Sequence, residues 1–141
     1  MTGDARVSGT TASLAGIERA LAKKDDEELE FAVRRVLLLH GIVITLGGIP
    51  LIYLGDEIAM LNDYAYDTNP EKIGDSRWLH RFTFDWERAE ERREVDSVPW
   101  RVYEGIRRLI QLRNQHQAFA PGETEFVKTG NPHVFGFIRS N

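Results

Sequence analysis

The sequence predicts an α/β protein in which a helix–strand–helix portion of a parallel-sheet fold runs into an antiparallel β-hairpin. Three observations carry this reading. An apolar run of strand length, residues 49–54, lies between a Gly47-Gly48 break and an abrupt Gly55-Asp56-Glu57. A strand apolar on both faces belongs inside a parallel sheet, where helices cover it. Stretches with helical spacing of apolar residues flank that run, and the final residues change to short β-prone segments around Thr129-Gly130-Asn131-Pro132, a hairpin signature.

At 141 residues the chain is long enough for one domain with its own core. Its 42% hydrophobic and 28% charged content is ordinary for a globular protein. A net charge of −4, with eighteen Lys and Arg in no long basic block, weighs against a nucleic-acid partner. Without cysteine there is no disulfide framework and no thiolate metal site, which fits the cytoplasm without excluding secretion. The start, Met1-Thr2-Gly3-Asp4, lacks the basic and then apolar architecture of a signal peptide. The longest apolar stretch, 36–44, is interrupted by His40 and Gly41 and is too short to span a bilayer, so no membrane partner is expected.

Taken in order, Thr10 or Thr11 can cap a short helix carrying Leu14, Ile17 and Leu21. Residues 23–28 form a charged, solvated bend. Asp25 or Asp26 starts a second helix with acidic residues in its first turn, where the helix dipole favours them. Its apolar positions include Leu29, Val33, Val36, Leu37 and Leu39, and from there to Leu46 nearly every side chain is apolar, which predicts burial on most sides. Gly47 and Gly48 end it, and the strand over 49–54 follows at once. Residues 55–96 read as a long polar–aromatic loop holding Asn62, Asp63, Tyr64, Tyr66 and Trp78, with a small solvated helix over 87–94. Such a loop inside a compact domain is unusual unless it is functional. Ser97 then suits an N-cap with Pro99 in the first turn of another helix, buried through Val102, Ile106 and Leu109 with Tyr103 and Ile110, and fading near His116. Residues 125–128 and 133–138 are the hairpin strands. Val134, Phe135, Phe137 and Ile138 are too apolar for a hairpin left on its own.

This order suits the last helix–strand–helix portion of a (β/α)8 TIM barrel, residues 1–118 with 55–96 as its long βα loop, leading into the start of a C-terminal β domain at 119–141. A single buried strand cannot satisfy its own N–H and C=O groups. A pairing partner is therefore expected outside these residues, in a missing upstream barrel segment.

Two groups of residues could do chemistry. Asp56 and Glu57 lie at the C-terminal end of the expected strand, where α/β and barrel folds build their sites. Adjacent on a strand end, their side chains point to opposite sides, so they do not face one bond as acid and nucleophile. One of them pairs with an arginine or caps backbone donors at the rim, or contacts ligand directly; both readings stand. The segment Gly74-Asp75-Ser76-Arg77-Trp78-Leu79-His80-Arg81 is richer, with a carboxylate, two guanidinium groups, an imidazole and an indole in eight positions. Arginine suits a carboxylate or paired hydroxyls and tryptophan can stack on a sugar face. Equally, the loop can be pinned by salt bridges with Trp78 as its anchor. His40, His80, His116 and His133 have no metal-ligand spacing; His40 reads as a core histidine and His116 as a helix-end residue. No phosphate loop or nucleophile elbow is present.

The run Gly48-Ile49-Pro50-Leu51-Ile52-Tyr53-Leu54-Gly55-Asp56-Glu57 resembles the last barrel-strand motif of the α-amylase family, glycoside hydrolase family 13. Arg6-Val7-Ser8-Gly9-Thr10-Thr11-Ala12-Ser13-Leu14-Ala15-Gly16, Leu61-Asn62-Asp63, Asp75-Ser76-Arg77-Trp78-Leu79-His80-Arg81 and Gly136-Phe137-Ile138-Arg139 narrow that resemblance to amylosucrases. The resemblance implies an enzyme that splits sucrose with retention, holds the glucosyl unit on an aspartate and passes it to an α-1,4-glucan acceptor, releasing fructose. It implies no metal or organic cofactor. It also implies that the nucleophile, the acid/base and a stabilising aspartate precede the matched region, so that the chain contributes no catalytic carboxylate and by itself is inactive. Met1 falls where the family continues in mid-domain, so the chain reads as a piece of a longer protein. Arg77 matches a loop arginine that helps close the glucosyl subsite through an ion pair with an aspartate of an early barrel loop. Asp75 is a second substrate-side candidate, while Trp78, Asp56 and Glu57 match loop-shaping or rim positions. A sucrose hydrolase or other sucrose-acting member is the neighbouring alternative. An independent carbohydrate-binding or interaction module, using Tyr64, Tyr66 and Trp78, is the alternative from another class.

Overall fold

A computed structural model describes residues 7–119 and 122–140. It shows a mixed protein of helices and one two-stranded antiparallel sheet. Its helices are α1 (Thr11–Ala15), α2 (Ile17–Lys23), α3 (Asp26–Thr45), α4 (Trp86–Glu91) and α5 (Val98–Gln115); its strands are β1 (Glu123–Val127) and β2 (Gly136–Ser140).

The caps fall where local chemistry puts them. Thr10 Oγ1 accepts from Ser13 N–H at 3.2 Å, Asp25 Oδ1 from Glu28 N–H at 2.9 Å, and Ser97 Oγ from Trp100 N–H at 3.1 Å. The first helix expected from Leu14, Ile17 and Leu21 is in fact two. Gly16 sits at φ 102°, a left-handed conformation that closes α1 and opens α2. The kink turns Ala12, Ala15, Ile17 and Ala20 inward and leaves Leu14 and Leu21 exposed. Small residues on the inner face allow α1 and α2 to lie close against α3.

The core is built between α3 and α5. Val33, Val36 and Ile44 meet Val102 and Ile106, with Leu37 and Leu109 at the margin. Arg101 and Glu30 join the two helices in an ion pair. Arg113 of α5 reaches the C-terminal end of α3, donating to the carbonyls of Ile44, Leu46 (3.3 Å) and Gly48 (2.8 Å). A cation on the last carbonyls of a helix is favourable both for its hydrogen bonds and for the dipole. The expectation that the second half of α3 is buried on most sides is not met. Only one stripe is covered, and Leu38, Leu39 and Val43 remain exposed.

The strand expected over residues 49–54 is likewise absent. The segment has no regular structure and is unpaired, with Ile49 98% and Leu51 80% exposed, and only Ile52 packs on the core. The reason is the one the sequence already raised: a strand exists by pairing, and among the described residues the sole sheet is β1–β2. The hairpin forms with Phe126 opposite Phe137 and Val127 opposite Gly136, and Gly130 at φ 72° in its turn. Its second strand starts three residues later than expected, because 133–135 belong to the turn side, where Phe135 stacks against Phe126 and Phe137 at 5.8 and 5.6 Å. His133, Val134, Phe135 and Phe137 bound an apolar hollow with Leu37, Leu38 and Ile42 of α3.

Candidate functional site

The segment 55–96 holds the candidate site and is a chain of short turns rather than an open loop. Three 3-10 turns (Asp56–Ile58, Tyr64–Thr68, Ser76–Leu79) precede α4. Gly55 enters it at φ 96°, with Met60 folded against it so closely that a Cβ would lie 2.4 Å from the Met60 sulfur. No other residue fits that corner without strain.

At this corner the two carboxylates diverge. Asp56 turns to α3, where its Oδ2 lies 3.6 Å from His40 Nε2. His40 is buried, and its Nδ1 lies 2.9 Å from the Val36 carbonyl one turn back. Burial on its own pulls the imidazolium pKa down. The Asp56 carboxylate and the Val36 carbonyl oppose it and prevail, leaving the pKa above its ordinary value. A histidine raised in the folded state contributes stability that is complete below its unfolded pKa and lost as pH rises through the folded one. The denaturation midpoint should therefore fall from about pH 6 to about pH 8, and Asp56→Asn should flatten that slope. An unchanged slope in Asp56→Asn would dissolve the pairing.

Glu57 turns the other way. Its Oε2 accepts from Gly55 N–H at 2.8 Å, and its side chain lines a hollow with Leu54, Ile58, Phe84, Trp86, Ala89, Arg92 and Tyr103. Arg88 supports the same corner from α4, donating from Nε to the carbonyls of Ala59 (2.9 Å) and Ile58 (3.2 Å).

The outer part of the segment is fastened to residues 8–18, around α1 and the start of α2. Asn62 accepts from Thr10 N–H through Oδ1 at 2.8 Å, while its own N–H donates to Ser13 Oγ at 3.0 Å. Tyr64 OH donates to Glu18 at 3.1 Å, and Ser8 and Ser76 hydroxyls meet at 3.0 Å. Residues 46 to 68 positions apart are thereby held together, and Asp75 and Arg77 are placed beside that seam. Asp75 Oδ1 accepts from Arg77 N–H at 3.1 Å, and the carboxylate takes the Arg77 Nε and Nη2 donors at 2.6–2.9 Å. Arg77 pulls the Asp75 carboxyl down to about 2, with the charge of Arg81 adding to it. Trp78, half-buried, lies under Lys72, whose Nζ is 4.6 Å from the ring centroid. His80 meets the Tyr53 ring edge-on at 6.1 Å.

The fold thus brings Asp75, Arg77 and Trp78 together and separates them from Asp56 and Glu57, which serve different walls of the corner. The sequence reading placed His40 in the core but missed its bond to Asp56, and it missed Trp86, Arg92 and Tyr103 around Glu57. No spacing signals either, since both arise between elements distant in sequence. Among the described residues no group of three His, Asp or Glu side chains is arranged to hold a metal ion. Among the described residues no helix is long and apolar enough to cross a membrane.

No protein-family model matches the chain. It is similar to the glucosylglycerate phosphorylase of Escherichia coli strain K12, 31% identical over 123 residues. The match covers 86% of this chain and 21% of that enzyme, so the chain spans about a fifth of the length of this curated relative. The similarity supports a distant relation to a carbohydrate-active enzyme.

Proposed function

We propose that the chain is a section of a glucosyl-transferring enzyme of the α-amylase family, amylosucrase-like in splitting sucrose with retention and passing the glucosyl unit to an α-glucan. The observation that carries the reading is the similarity, along most of this chain, to a relative named for phosphorolysis of a glucosyl compound. The exposed apolar face of α3 and the unpaired segment 49–54 support it. Such surfaces suit the upstream barrel segment, with 49–54 pairing between its strands as the eighth. In that enzyme 119–141 opens the C-terminal β domain.

Within the site, Arg77 and Asp75 line the glucosyl subsite. A guanidinium carries five N–H donors, and Asp75 engages only those of Nε and Nη2. The remainder can reach sugar hydroxyls and an aspartate of the upstream segment. Trp78 shapes the loop that carries them, while Asp56 and Glu57 hold the rim corner apart from that subsite. The carboxylate nucleophile and the acid/base come from the upstream segment, so the 141-residue chain alone releases no fructose from sucrose.

A second reading is favoured by the relative itself: the glucosyl unit passes to phosphate instead of glucan. Both share the retaining first step and differ in what attacks the glucosyl-enzyme. Product analysis of the full-length parent decides. Sucrose with glycogen yielding fructose and lengthened glucan supports the first reading. Glucose 1-phosphate formed only with added phosphate supports the second, free glucose alone points to a hydrolase, and no cleavage of sucrose or glucosylglycerate overturns the proposal.

A further inference from the structure

We propose that the hollow beside Glu57 is a binding site for a pyranose ring of an α-glucan, with Trp86 as its platform; this rests on the carbohydrate reading above and adds a site to it. The hollow encloses about 340 Å³ between the Gly55 corner, α4 and α5, at the small end of the range for ligand pockets. Trp86 is 72% exposed, and Phe84 meets its ring edge-on at 4.8 Å and 69°. An exposed aromatic ring that a neighbour touches only at its edge keeps a face free for a ligand beside the cavity.

Ile58 and Ala89, both buried, close the floor. Glu57, Arg92 and Tyr103 supply the polar part of the lining. Glu57 is oriented by the Gly55 N–H on Oε2, and a carboxylate has acceptor capacity beyond that one bond. Arg92 is steadied by the Ala89 carbonyl and by Glu90 at 3.6 Å. A pyranose has an apolar C–H face and an edge of adjacent hydroxyls. The first matches an indole face; the second matches a carboxylate that accepts and a guanidinium that donates. A purely apolar ligand would have no use for that charged pair, and a phosphate would be repelled by Glu57.

The test is titration of the 141-residue chain with maltotriose, followed by the indole N–H resonances of Trp78, Trp86 and Trp100 and by intrinsic fluorescence. The Trp86 resonance should move saturably. Trp86→Phe should retain binding, whereas Trp86→Ala and Glu57→Gln should each weaken it about tenfold without loss of helix by circular dichroism. No movement of the Trp86 resonance at saturating sugar, movement centred on Trp78, or full binding by folded Trp86→Ala would each overturn the proposal. Sucrose cleavage by the full-length parent is measured separately, so an empty hollow in an active enzyme refutes this site alone.

Discussion

Arg77→Lys in the full-length parent should lower kcat/KM on sucrose by about ten- to a hundredfold while leaving the melting temperature nearly unchanged. Lysine keeps the charge but cannot present two parallel N–H groups to Asp75 and still reach a sugar hydroxyl from a fixed plane. The side chain is exposed and its bonds are made within its own turn, so little of the fold depends on it. The Asp75 carboxyl, held at about 2 by Arg77, stays ionised over the working range of an enzyme. A depressed carboxylate gives up its contribution only as pH falls through that value. The loss in Arg77→Lys should accordingly be the same at pH 6 and pH 8, to within about twofold. Wild-type kinetics would remove Arg77 from the site; a loss confined to one side of that range would mean a different titrating group had been disturbed.

Ile44→Ala should destabilise the chain by about 2–4 kcal/mol, read from the shift in urea midpoint at constant slope. Ile44 is 1% exposed and lies in the α3–α5 core, close to where Arg113 gathers the last carbonyls of α3. Removing its methyl groups leaves a cavity that two helices pinned by Arg113 and by the Arg101–Glu30 pair cannot easily collapse. Leu38→Ala on the same helix is the internal comparison. At 63% exposed, Leu38 should cost less than about 0.5 kcal/mol. Equal costs for the two would show that the outer face of α3 is covered in solution, and the model of a one-sided helix would fall.

The helix starts were legible because a cap is a local device. Thr10, Asp25 and Ser97 each satisfy an N–H three residues onward, so the residue and its effect share one short window. The stripe Val102 and Ile106 was legible for the same kind of reason, since helical period alone puts those side chains on one face. The hairpin followed from its turn residues, although Phe135 shows the limit: aromatic packing with Phe126 and Phe137 set where the second strand begins. The loop 74–81 was legible as one rich in charge that could be salt-bridged or bind a ligand, but the ion pair expected of Arg77 was with an upstream aspartate, and its pairing with Asp75, two positions away, was not foreseen.

What the sequence could not disclose is where partners come from elsewhere in the chain. An apolar run reads as a strand, but being one depends on a neighbour, and 49–54 finds none among the described residues. His40 was visible as a core residue; that it meets Asp56, and that Glu57 turns instead toward Trp86 and Tyr103, required α3, the Gly55 corner and α5 to be in place together. The sequence by itself thus determined caps, helix stripes, the turn and the composition of the candidate loop, because those depend on interactions within a few residues. Only the tertiary structure decided which face of α3 is covered, which carboxylate serves which wall and whether the apolar run is paired. Those outcomes depend on desolvation and hydrogen bonding between segments distant in the chain, for which no local pattern carries a signal.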